Sequence, residues 1–211
     1  MKNLKKMVCI ALGIFAMSCS KKEDTVPALS VAFEAINTTV TAIPDGTNAT
    51  PSIPNSVEIP ITIDKEGVIA DGNKISIELD LNHTWAGDLA IQVITPSGES
   101  CGLVKRIGSN PAKTFGSNNN FIAGNKLVFN SAFVNSIPAV ADTNLDIPAG
   151  NYKPTFGDNL MPTNVVEVPL ATFFANKNIK GIWKLKAYDC EYSFTGSINA
   201  WKIKFDTGAL K

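Results

Sequence analysis

His83 is the only histidine among 211 residues, and that scarcity limits the chemistry available. A Ser-His-Asp triad or a Cys-His pair needs an imidazole within reach of its nucleophile, so either would have to be built on His83. No G-x-S-x-G elbow is present. The Gly-Ser pairs at 108–109, 116–117 and 196–197 lack any supporting motif. His83 closes an alternating run and precedes Thr84-Trp85, which reads as a histidine bonded to a neighbouring turn. Zinc is excluded by spacing, because there is no C-x-x-C and no H-E-x-x-H. Asp142-Thr143-Asn144-Leu145-Asp146 begins as an EF-hand loop does. Ile147 then stands where glycine is needed, and Lys153 where the bidentate glutamate belongs. Glu78 and Asp80 share a strand face, but a solvated outer face accounts for them better than a glycosidase pair. Trp85, in a loop beside Asn82 and His83, is the tryptophan placed to stack on a sugar. Trp183 and Trp201 each start an apolar alternation and should point inward.

Four cysteines divide by position. Cys9 falls in an apolar leader and Cys19 ends it. Cys101 and Cys190 remain, a pair that an oxidising compartment would allow to bridge. A disulfide and two buried thiols are both compatible with the sequence.

The elements that must position these residues are strands. Ile75, Ile77, Leu79 and Leu81 alternate with Ser76, Glu78 and Asp80, the period of a half-buried strand. Leu89, Ile91 and Val93 make the next strand. Pro96-Ser97-Gly98-Glu99 is turn chemistry, and Cys101 to Ile107 runs back. Trp183, Leu185 and Ala187 alternate with lysines, as do Trp201, Ile203 and Phe205. Earlier strands are expected at Leu29–Ala35 and Val57–Ile63. The sole helical hint is Ala171 to Ala175. The stretch 108–164 is long for a connection and should carry short strands or function of its own. The fold class is therefore all-β, an antiparallel jelly-roll sandwich.

Nineteen basic and nineteen acidic residues cancel, which excludes a general nucleic-acid binder. An apolar content of 45% with 18% charged residues supports a real core. The balance is uneven along the chain. Lys2, Lys5 and Lys6 precede an apolar run from Met7 to Met17 with no acidic residue, a secretory signal too short to span a bilayer. Ala16-Met17-Ser18-Cys19 resembles a bacterial lipobox, which makes Cys19 the lipid attachment site. Ser20-Lys21-Lys22-Glu23-Asp24 is a solvated tether and also resembles the charged export tags of Bacteroidota lipoproteins. The expected organisation is a signal peptide at 1–18, a tether at 19–29 and one domain at 30–211. Loss of residues 1–18 leaves 16 basic and 19 acidic residues, a net charge of −3.

Several ordered motifs carry a family resemblance. His83-Thr84-Trp85-Ala86-Gly87-Asp88-Leu89 followed by Thr95-Pro96-Ser97-Gly98 resembles the signature of the P domain. This P/Homo B domain accompanies the subtilisin-like catalytic domain of proprotein convertases and many bacterial proteases. Downstream, Gly181-Ile182-Trp183-Lys184-Leu185 with Asp189, then Gly196-Ser197-Ile198 with Trp201, resemble its later strands. Upstream, Ile43-Pro44-Asp45 and Gly150-Asn151-Tyr152-Lys153-Pro154 also fit. The similarity covers about residues 40–206.

The resemblance implies a galactose-binding-like jelly roll. It makes His83, Gly87, Asp88, Pro96, Gly98, Trp183, Asp189, Gly196 and Trp201 its structural motif residues. Gly87 permits a tight turn. Asp88 opens one strand and Asp189 closes another, so antiparallel pairing would bring both to one end of the sandwich. There they cap loops or, with Asp45, hold calcium; loop capping is the favoured reading. The family's catalytic Asp, His and Ser lie in a separate domain that this sequence does not contain. With the lipobox, the resemblance implies a non-catalytic, lipid-anchored module of the outer membrane, for which surface display and the inner face are both open. Its expected partner is a protease, a protein substrate or a glycan.

Overall fold

The computed structural model describes residues 32–138, 144–155 and 168–211. The leader, the tether, Cys19 and Asp142 lie outside them. The alternation in the sequence becomes two facing sheets. One orders β1 (Phe33–Asn37), β10 (Gly196–Phe205), β4 (Ile75–His83), β7 (Leu127–Phe129) and β8 (Gly150–Tyr152), with β2 (Thr41–Ile43) also paired to β10. The other orders β3 (Asn55–Ile63), β9 (Gly181–Asp189), β5 (Leu89–Ile94) and β6 (Ser100–Lys105). The chain crosses between sheets from β3 to β4, β4 to β5 and β9 to β10. That gives the all-β jelly-roll sandwich expected from the pattern.

Each strand's apolar face supplies the core. Ile75, Ile77, Leu79 and Leu81 of β4 face Leu89, Ile91 and Val93 of β5, Trp183 and Leu185 of β9, and Trp201, Ile203 and Phe205 of β10 in one buried cluster. Trp183 and Trp201 point inward, as their alternation requires, at 0% and 1% exposure. Burying side chains of this size stabilises the fold by about 2–3 kcal/mol each. The indole of Trp183 donates to the Ile179 carbonyl at 2.8 Å. The helical hint at 171–175 is a single turn, α1 (Leu170–Phe174), whose Phe174 packs on Trp183 with ring centroids 6.0 Å apart.

Two details go beyond what the pattern specified. The pairing is not wholly antiparallel, because β7 and β8, the short strands within the 108–164 stretch, run parallel. Cys101 and Cys190 do not bridge, and both are free, buried thiols. Cys101 pairs with Val93 and faces the main core, whereas the Cys190 amide donates to Asp88 just before β5. Their points of attachment to β5 are thus several residues apart, at about 3.3 Å of rise each, beyond the reach of a disulfide. Cys190 sits instead in a separate small cluster with Ala90 and Tyr188. Burial pushes both thiols up to about 12, which makes them poor nucleophiles.

Candidate binding site at the loop end of the sandwich

Strand register determines which residues meet at one end. Leu89 and Asn55 both lie opposite Asp189, and Gly196 lies opposite His83. Asp88 and Asp189 therefore gather there, as antiparallel pairing would bring them, and His83 joins them. His83 Nε2 is 3.0 Å from Asp189 Oδ2, and both side chains are fully buried. His83 Nδ1 lies 3.0 Å from the Trp85 carbonyl oxygen and 3.1 Å from the Trp85 amide nitrogen. Nε2 faces a carboxylate, which accepts, so it carries a hydrogen and donates to Asp189. Asp189 Oδ1 accepts from the Glu191 amide at 3.3 Å. Both ring nitrogens are committed, so the imidazole ties strand ends together and is closed to substrate.

Two glycines make the close approach possible. A Cβ on Gly196 would lie 2.1 Å from the Asn82 carbonyl oxygen and 2.7 Å from His83 Cδ2. A Cβ on Gly87 would lie 2.1 Å from the Phe115 carbonyl oxygen and 2.8 Å from the Ser117 amide nitrogen. The tight turn at 86–88 can then dock on residues 115–117, with the Gly87 amide donating to Ser117 at 2.8 Å.

The three aspartates have different roles. Asp45 accepts from the Ser193 amide at 3.2 Å, a loop cap. Asp189 also caps, as described. Asp88 departs from the expectation: among the described residues no loop amide donates to its carboxyl, although its carbonyl accepts from Cys190 at 2.9 Å. Burial, and then the nearby Asp189 carboxylate, raise Asp88 to about 8, with the Arg106 guanidinium opposing. Asp88 is therefore a neutral acid at pH 7. Among the described residues no group of three His, Cys, Asp or Glu is placed to hold a metal ion. Asp146 instead accepts from the Asn120 side chain at 3.2 Å. Pro96 and Gly98 occupy the opposite end, in the turn between β5 and β6.

Sequence reasoning missed the residues that shape the surface here. Arg106, the chain's one arginine, donates from Nε to the Gly87 carbonyl and from Nη2 to the Thr114 carbonyl, both at 2.9 Å. Its Nη2 also pairs with Glu191 Oε1 at 2.5 Å. A lone arginine among eighteen lysines was the available signal, since the guanidinium's rigid planar fork of donors suits several fixed carbonyls at once. The Trp85 indole donates to the Phe115 carbonyl at 2.6 Å, and its ring stacks on Phe194 with centroids 5.1 Å apart. Phe115 itself is 59% exposed. Beside it a cleft of about 420 Å³ is lined by Arg106, Thr114, Glu191, residues 49–52 and Pro54.

No family model matches the chain, and no curated protein matches it. Among the solved structures that align with this chain are two of the serine protease of Aeromonas sobria. The one in complex with its chaperone aligns at 11% identity and a TM-score of 0.42, over 83% of this chain and 26% of that one. The protease structure without a named partner aligns at 11% identity and a TM-score of 0.40, with the same coverage. This chain thus spans about a quarter of their length.

Proposed function

We propose that this protein is an exported, lipid-anchored module of the outer membrane that binds through the loop end of a P-domain-like sandwich and performs no hydrolysis itself. The observation that carries this reading is the burial of its one histidine with both nitrogens occupied. A general base must reach the proton it abstracts, and His83 is sealed behind Trp85. An accessory role beside a protease or its protein substrate follows from the motif resemblance.

Two expected outcomes test this. The purified full chain should leave casein and fluorogenic peptides uncleaved between pH 5 and 9. Hydrolysis that co-elutes with the protein through two chromatographic steps would overturn the reading. Cys19→Ala should move the protein from the membrane fraction to the soluble fraction, as measured by immunoblot. An unchanged membrane fraction would exclude lipid anchoring at that residue. Protease shaving of intact cells then reports which face of the membrane displays the domain.

A further inference from the structure

We propose that the cleft between residues 49–54 and Phe115 binds a neutral saccharide, with a sugar ring stacked on Phe115 and its hydroxyls bonded to the Arg106–Glu191 pair. This rests on the binding-module reading above and gives it a ligand class.

Four observations lead there. First, the cleft is small and half open to solvent, at about 420 Å³, within the size range of small-ligand sites. Second, every residue lining it lies outside the strands. No sheet edge opens into it, so a peptide could not add as an extra strand. Third, its charges cancel. Arg106 and Glu191 pair on its floor at 2.5 Å, and Thr50, Ser52 and Thr114 supply the remaining polarity as hydroxyls. A neutral surface of mixed donors and acceptors suits a ligand rich in hydroxyls and offers nothing to an anion or a cation. Fourth, the polar groups are fixed in advance, and so is the backbone that carries the ring. Arg106 is tied to two backbone carbonyls. The Phe115 backbone is held by the Trp85 indole and by the docked Gly87 turn. A presented aromatic ring beside a fixed planar polar pair contributes to binding at a reduced ordering cost. Trp85, the stacking candidate in the sequence, is the positioning residue here; its own ring is stacked on Phe194.

The test is affinity electrophoresis of the full chain in gels containing dextran, laminarin, galactomannan or arabinoxylan, with alginate as the anionic control. Retardation by at least one neutral polysaccharide is expected, with a change in tryptophan fluorescence in solution. Phe115→Ala should weaken that binding at least tenfold, and because the ring is exposed the melting temperature should not move. Lys177→Ala, at the opposite end of the sandwich, should bind as the parent does. The proposal is overturned if no neutral polysaccharide retards the protein, if Phe115→Ala binds normally, or if alginate is preferred. Failure here with no hydrolysis detected leaves the binding-module reading standing, whereas hydrolysis removes that reading whatever the gels show.

Discussion

Asp189→Ala is expected to destabilise the domain by about 3–4 kcal/mol, because it strands a fully buried donor that has lost its charged acceptor. His83 and Asp189 are both fully buried. Removing the carboxylate leaves the His83 Nε2 hydrogen unsatisfied and frees the Glu191 amide, which loses its 3.3 Å bond. The damage spreads to the cleft, because Glu191 is the residue that holds Arg106 from the other side. For a domain of this size the loss corresponds to a melting temperature lower by about 10 °C. Asp189→Asn keeps an acceptor oxygen and should recover most of the loss. Asp45→Ala removes only a cap on an exposed loop and should cost about 1 kcal/mol or less. Urea melts followed by the fluorescence of the buried Trp183 and Trp201 would measure all three. An Asp189→Ala variant within 1 kcal/mol of the parent would show that the pair is not what ties these strand ends together.

What the sequence revealed follows from the period of its side chains. A strand with one face in the core alternates, so Ile75 to Leu81 and Trp183 to Ala187 were legible, and so was the inward aim of both tryptophans. The gathering of Asp88 and Asp189 at one end was legible too, since it needs only strand direction. Features that depend on which strand neighbours which were not. The parallel match of β7 to β8 comes from a long connection whose path alternation does not encode. The distance from Cys101 to Cys190 depends on register along β5, so the choice between a bridge and two buried thiols stayed open in the sequence, and the geometry decides for the thiols. The cleft was hidden for a similar reason. Phe115 and Glu191 are 76 positions apart and both sit in loops, where no periodicity marks a side chain as facing out. The motif from His83 to Leu89 was read as a signature before its physical reason was visible. That reason is a histidine, a glycine and an aspartate packed where two sheets and three loops meet.

Asp88→Asn is expected to stabilise the protein, and to do so only above acidic pH. The Asp88 carboxyl titrates at about 8 in the folded chain, against about 3.9 when unfolded. A raised acid holds its proton in the native state over a range where the unfolded chain has released it. Stability from this group is therefore full below about pH 4 and is lost progressively as pH rises towards 8. Each unit of pH within that window costs at most about 1.4 kcal/mol, and relaxation around the site reduces this, so about 2–3 kcal/mol is expected at pH 8. Asparagine has the same shape and no proton to lose. The variant should melt with the parent at pH 4 and several degrees above it at pH 8, with the gap widening between those limits. The same experiment decides between the two readings of the acidic end. Were Asp88 a calcium ligand, adding calcium would raise the parent's melting temperature at pH 8, and Asp88→Asn would abolish that rise and melt below the parent. A neutral, buried acid predicts the opposite order of the two proteins, and no response to calcium in either.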